Sequence, residues 1–303
     1  MKSKFTSIGI LLLAAIIWGF AFVAQVEGTK YIGCFTMNGV RFSLGVIALL
    51  PVMLVFERGR TEKAESQRTV KASLITGTVL FCASTLQQFG IQITASAGVS
   101  GFITGLYMIL VPLSYFLFFR RKTGVNVWIG TVIAFLGLVL LCYKQGEGFS
   151  FGLGELLLLI GSFFWTAHVM LIDCFGKDLR SLHYSCGQFA VCAALGLICM
   201  FIFEDVSMSA LLDAKWALLY CGVMSSGIAY TLQVIGQKHA DPSYAVIVLS
   251  TESAFSAIGG ALFGIDNISW VGYIGCTLMF VGIICTQITR KHKNDLGLEY
   301  AEK

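Results

Sequence analysis

The chain has 303 residues, 56% of them Ala, Val, Ile, Leu, Met, Phe, Trp, Tyr or Cys, and only 13% charged, against about 25% charged in ordinary soluble domains. With a mean hydropathy of +0.80 the surplus apolar surface must face lipid, which excludes a soluble enzyme, a nucleic-acid binder, a secreted disulfide scaffold and an unfolded linker. The formal charge of +4 is then a matter of membrane sidedness, because Lys and Arg gather on the cytoplasmic side.

Apolar runs fall at 8–26, 34–56, 72–90, 98–118, 126–143, 153–172, 184–203, 215–235, 243–263 and 269–288, separated by short polar stretches such as Glu57-Arg58-Gly59-Arg60-Thr61-Glu62-Lys63. A backbone in lipid must satisfy its own hydrogen bonds, so the choice is helices or a closed barrel. Continuous runs of this length, without the alternation of barrel strands, predict ten transmembrane helices. The first run follows Lys2 and Lys4 in the manner of a signal peptide, but its recurrence later in the chain makes it the first span.

Ten spans place both tails and the even-numbered separators on one side. That side receives 17 basic residues, including Arg58, Arg60, Lys63, Arg120, Arg121, Lys122, Lys177, Arg180, Lys238, Arg290 and Lys291, against Lys30, Lys144 and Lys215 on the other. The split predicts cytoplasmic termini and a multi-pass protein of the inner (plasma) membrane.

The sequence also repeats itself. At an offset of 147, Trp18 meets Trp165, Lys30 meets Lys177, Phe42 meets Phe189, and Phe56-Glu57 meets Phe203-Glu204. At 146, Thr85-Leu86-Gln87 and Gly90 meet Thr231-Leu232-Gln233 and Gly236. At 145, Ile129-Gly130, Phe135 and Gly137 meet Ile274-Gly275, Phe280 and Gly282. Five spans per half force the second copy into the membrane from the opposite side. The expected fold class is an all-α integral membrane protein, ten helices in two inverted five-helix repeats over 1–145 and 146–303. Such repeats are typical of secondary transporters that work by alternating access around a midplane site.

With Trp18-Gly19-x-x-Phe22 in span 1, Arg41-Phe42 in span 2 and Ser250-Thr251-Glu252 in span 9, nearly the whole chain resembles the EamA family of the drug/metabolite transporter superfamily. Where the family often carries Gly-Glu at the ends of spans 4 and 9, this chain reads Phe119-Arg120-Arg121 and Gly264-Ile265-Asp266, and the family Pro after the span 9 Glu is Ser253. The resemblance implies a membrane carrier that often exports amino acids or related small metabolites. The partners expected are a small-molecule substrate and the lipid bilayer, with no nucleic acid; a homodimer stays open.

Polar residues inside spans are costly and face a cavity or a partner helix. Trp18, Phe22 and Gln25 form one stripe, Trp165 and His168 another. Asn38, Arg41 and Gly45 share a face of span 2, matched by Ser185, Gln188 and Cys192 in span 7. Ser100, Thr104 and Tyr107 line one face of span 4. Span 3 offers Thr85, Gln88 and Gln92, and span 8 Tyr230, Gln233 and Gln237. Because Gln233 matches Gln87 rather than Gln88, the inward face of span 3 is undecided. The candidate substrate-binding set is Trp18, Gln25, Asn38, Arg41, Thr85, Gln88, Tyr107, Trp165, His168, Gln188 and Gln233. Interhelical hydrogen bonding is the plainer reading for each Ser, Thr and Gln. Arg41 either snorkels to the interface or grips a substrate carboxylate or phosphate through two parallel hydrogen bonds.

Glu252 is the one carboxylate near the middle of a span. It is the candidate proton-coupling residue, with a structural acid bonded to a neighbouring helix as the alternative. The ten Cys include no Cys-x-x-Cys and no Walker sequence is present, so neither metal, cofactor nor ATP is expected. Gly98-Val99-Ser100-Gly101 fits the Gly-x-Ser-Gly of rhomboid-type intramembrane proteases, but that fold needs a late His in another span, and His168 lies in the wrong half. The expected protein is not an enzyme. An intramembrane enzyme or a non-transporting membrane scaffold is the runner-up.

Overall fold

A computed structural model of the chain describes residues 2–59, 63–120, 125–141, 143–144, 148–149, 151–239, 242–266 and 268–287. Of the basic residues counted above, Arg60, Arg121, Lys122, Arg290, Lys291, Lys293 and Lys303 lie outside the described residues. The chain is almost entirely helical: α1 (Lys2–Gly28), α2 (Cys34–Phe56), α3 (Lys63–Thr94), α4 (Ala97–Gly105), α5 (Tyr107–Phe119), α6 (Val125–Leu141), α7 (Leu153–Phe175), α8 (Ser181–Phe203), α9 (Met208–Asp213), α10 (Lys215–Leu219), a π-helical stretch (Tyr220–Ala229), α11 (Tyr230–His239), α12 (Pro242–Leu262) and α13 (Trp270–Gln287). Between α6 and α7 a minimal antiparallel pair, Tyr143–Lys144 with Gly148–Phe149, adds a hairpin that the apolar runs do not encode.

Among the described residues, seven helical stretches are long and apolar enough to cross a membrane: Thr6–Gly28, Cys34–Phe56, Glu65–Thr94, Ala97–Phe118, Leu153–Phe175, Ser181–Phe203 and Lys215–Gln237. Trp128–Leu140 and Trp270–Gly282 are shorter apolar helices. Large apolar side chains stay exposed on the outer faces, among them Phe56, Phe118, Phe201, Phe203 and Trp216. An exposed apolar surface of this extent suits lipid, not water.

Two apolar runs fold less simply than their length suggests. The fourth becomes α4 and α5, joined at Leu106. Ser96 starts α4 by accepting from the Val99 N–H at 3.1 Å, and Pro112, which lacks an N–H, sits inside α5. The eighth widens into the π-helical stretch before α11. Wide turns of this kind are rare and cluster at functional sites.

The helices pack in a pattern that returns on itself. α1 lies along α12 and α4 along α7; α3 and the π-helical stretch flank the central pair α2 and α8; α6 packs on α13. Phe42 and Phe189, both fully buried, meet with ring centroids 6.0 Å apart at the α2–α8 crossing. Close approach relies on absent side chains. A Cβ on Gly137 would lie 2.6 Å from the Gly275 carbonyl oxygen, and one on Gly282 would lie 2.6 Å from that of Gly130, so both glycines are needed for α6 and α13 to touch.

Helix ends are clamped in the same reciprocal way. Glu57, just past α2, accepts from the backbone N–H groups of Leu182 and His183 at the start of α8, each at 3.1 Å. Glu204, just past α8, accepts from Phe35 N at 2.8 Å and Thr36 N at 2.7 Å at the start of α2. A carboxylate at a helix N-terminus satisfies orphan donors and meets the positive end of the macrodipole. A third acid, Asp266, does the same for Ala97 N at 2.8 Å and Gly98 N at 2.7 Å at the start of α4.

Candidate functional site

A narrow cavity lies among α1, α2, α3, α4, α5, α7, α11, α12 and the π-helical stretch. Its wall is Trp18, Ala21, Phe22, Gln25, Arg41, Gln87, Thr104, Tyr107, Trp165, Val169, Ser225, Tyr230, Gln233 and Glu252.

Aromatic rings form one part of the wall. Tyr230 stands between the two tryptophans, 4.8 Å from Trp18 at 62° and 6.1 Å from Trp165 in a near-parallel stack. Trp18 Nε1 donates to the Ser225 carbonyl at 3.3 Å, an acceptor supplied by the π-helical stretch. Trp165 Nε1 is buried and has no hydrogen-bond partner among the described residues.

The polar part is held from behind. Arg41 is 2% exposed, so it does not snorkel; burying a guanidinium costs on the order of several kcal/mol unless it is paired. Its Nη1 donates to Gln25 Oε1 at 2.8 Å, Gln25 Nε2 donates to the Ala21 carbonyl at 3.1 Å, and the Phe42 ring lies 4.9 Å from the guanidinium carbon. Gln87 donates to Thr104 at 3.3 Å.

Glu252, 4% exposed, is met by the Tyr107 hydroxyl. It reaches the wall because α12 lies close to α1 and α4. A Cβ on Gly19 would come within 2.9 Å of the Glu252 carbonyl oxygen, one on Gly101 would clash with Ser256, and Ser253 Oγ donates to the Gly101 carbonyl at 2.9 Å.

Of the residues expected at a substrate site, the fold brings Trp18, Gln25, Arg41, Tyr107, Trp165, Gln233 and Glu252 to one wall. Asn38, Gln88, His168 and Gln188 are buried and Thr85 is half-buried, and none of the five lines it. Asn38 Nδ2 donates to Thr85 Oγ1 at 3.2 Å, and His168 Nε2 pairs with Gln188 Oε1 at 2.9 Å, while Gln88 is fully buried with no hydrogen-bond partner for its amide among the described residues. The reason is rotational. Adjacent helical positions point about 100° apart, so turning Gln87 to the cavity turns Gln88 into the packing against neighbouring helices. Gln92, of the same stripe, accepts from Cys34 Sγ at 2.8 Å.

Wall residues absent from the expected set are Ala21, Phe22, Gln87, Thr104, Val169, Ser225 and Tyr230. The match of Gln87 to Gln233 under the internal repeat is a signal that finds Gln87. For Ser225 no sequence signal exists, because its main-chain carbonyl does the binding. Ser100 lies off the wall, its hydroxyl 3.0 Å from that of Thr94. Among the described residues no group of three or more His, Cys, Asp or Glu side chains could hold a metal ion.

Relatives bear on what such a cavity does. An uncharacterized transporter of Archaeoglobus fulgidus is 23% identical over 292 residues, covering 95% of this chain and 87% of the relative. The uncharacterized transporter YoaV of Bacillus subtilis is 22% identical over 283 residues, 92% of this chain and 96% of its own. A solved structure described only as a crystal structure of protein matches with a TM-score of 0.69 at 20% identity, over 97% of this chain and 99% of its own, a likeness of fold alone. The EamA-like transporter family matches residues 5–143 and 152–287, and the chain is a member of that family, a multi-pass membrane transporter.

Proposed function

We propose that the protein is a secondary transporter, an exporter of small metabolites such as amino acids or related compounds, working across the cytoplasmic membrane by alternating access. In this reading ten membrane helices form two inverted five-helix repeats, 1–145 and 146–303, with both termini cytoplasmic. Trp18, Gln25, Arg41, Tyr107, Trp165 and Gln233 contact substrate, and Glu252 carries the coupled proton. Asn38, Thr85, Gln88, His168 and Gln188 brace the helices behind that wall.

One observation carries the reading: a cavity walled by aromatic and polar side chains from both halves of the chain, with Trp18 and its repeat mate Trp165 on it. Contacts that recur at the repeat offsets support it. Glu57 to Leu182 and His183 is the counterpart of Glu204 to Phe35 and Thr36, each position displaced by 147. Gly137 against Gly275 is the counterpart of Gly282 against Gly130, displaced by 145. Two related halves clamped reciprocally can exchange roles, which is what moving a site from one membrane face to the other requires.

The test is flux by purified protein in proteoliposomes. The reading expects saturable uptake of small amino acids or related metabolites that accelerates under an imposed pH gradient. Flux no greater than in protein-free vesicles across a chemically broad panel would refute it.

A further inference from the structure

Among the described residues Arg41 is the one cation on the cavity wall, and part of its guanidinium is unused. Nη1 is committed to Gln25 and the guanidinium also meets the Cys221 thiol, while Nε and Nη2 are buried with no hydrogen-bond acceptor among the described residues. Those two nitrogens form one edge of the planar group, and their N–H bonds project side by side at the spacing of two carboxylate oxygens. Among the described residues no acid answers them. The ion pairs among the described residues are Lys30–Glu27, Lys177–Asp173, Arg180–Glu57 and His183–Glu57, and Glu252, on the same wall, is met by Tyr107 instead. A buried charge with its fork open is half of an ion pair.

We propose, building on the transporter reading above, that the other half is the carboxylate of the transported molecule, gripped side-on by Arg41 Nε and Nη2. Gln25 is the positioning residue: by occupying Nη1 it turns the free edge toward the ligand. The wall supplies another unpartnered donor, Trp165 Nε1, and an unpartnered acceptor, Gln233 Oε1. With Glu252 these accommodate an amino group on the same molecule without requiring one. A single cation sharing its cavity with a carboxyl group suits one negative charge, not the nearly two of a phosphate monoester. The substrate class is therefore small monocarboxylic acids, their apolar remainder lying against Trp18 and Tyr230.

Two matched sets of compounds test this on the purified full-length protein in proteoliposomes. The first is phenylalanine, phenylalaninamide, phenethylamine and 3-phenylpropionate; the second is leucine, leucinamide, 3-methylbutylamine and 4-methylpentanoate. The acids, with or without the amino group, are expected to be taken up about 10- to 100-fold more tightly than the amides and amines, the range of a bidentate charge-assisted contact. Arg41→Lys, which keeps the charge but loses the fork, should lower acid affinity about tenfold, and Arg41→Gln should erase the preference for acid over amide. The wild-type series decides the matter even if a variant fails to fold. Amides or amines carried as well as acids, or no acid carried in either set, would overturn the assignment. So would an unchanged acid-to-amide ratio in folded Arg41→Gln. Transport confined to neutral or cationic members sinks the carboxylate assignment and leaves the transporter reading standing; protein-dependent flux of none of the eight overturns the carboxylate assignment, and the transporter reading then stands or falls on the broad panel above.

Discussion

Replacing Glu57 by Gln isolates one helix clamp. The Glu57 carboxylate takes two backbone N–H bonds at the start of α8, from Leu182 and His183, and a third bond from His183 Nδ1 at 2.6 Å. An amide offers one oxygen, so at least one of the two backbone donors loses its partner, and the charge facing the helix N-terminus disappears. The loss of such a cap is worth on the order of 1–2 kcal/mol, discounted here because the side chain is 19% exposed. A thermal midpoint about 1–3 °C lower at pH 7 is the consequence. The pH dependence is more specific. Partial burial pushes the Glu57 carboxyl up, but His183 and the two backbone donors outweigh it and hold it below the ordinary glutamate value. A depressed carboxyl stabilises the fold fully above its unfolded value of about 4.3, and that contribution is lost as pH falls through the lower folded value. Thermal unfolding of wild type and Glu57→Gln in detergent, compared from pH 7 down to about pH 3, should show a gap that is constant above pH 5 and closes in acid. Equal midpoints at pH 7, or a gap unchanged at pH 3, would refute the reasoning.

Two further outcomes are expected. Gly137→Val places a side chain 2.6 Å from the Gly275 carbonyl and 2.7 Å from Met279 N; forcing α6 from α13 should cost about 1–3 kcal/mol and lower the thermal midpoint by several degrees, so a midpoint like wild type would mean that the helices do not cross there. Glu252→Gln mimics a permanently protonated carboxyl; it should still exchange substrate across the vesicle membrane but lose accumulation driven by a pH gradient, and gradient-driven accumulation at the wild-type rate would remove the proton role.

Much of this protein was legible from residues alone. Membrane residence follows from composition, because 13% charge cannot solvate a 303-residue surface. Long apolar runs must be helices, since lipid offers the backbone no partners. The pairing of Trp18 with Trp165, and of Glu57 with Glu204, is visible by shifting the sequence on itself. These properties are sums or periodicities along the chain, so they need no knowledge of neighbours.

What one dimension could not carry is direction around each helix axis. Whether Gln87 or Gln88 meets the cavity depends on a rotation of about 100°, and it is the packing of α3 against α7 and α8 that settles it for Gln87. Arg41 reads equally as an interfacial anchor or a ligand contact until Gln25, sixteen residues away on α1, is seen to accept from Nη1. The π-helical stretch at Tyr220–Ala229 arises where α2 presses Arg41, Leu44 and Gly45 against Gly222 and Ser226, and the Ser225 carbonyl that holds Trp18 is a main-chain group with no signature in side-chain type. Hydropathy settles that a segment is buried in lipid or protein. Only the contacts between helices decide which of its faces meets a substrate, because lipid and protein interior are equally apolar and leave no difference for the pattern to record.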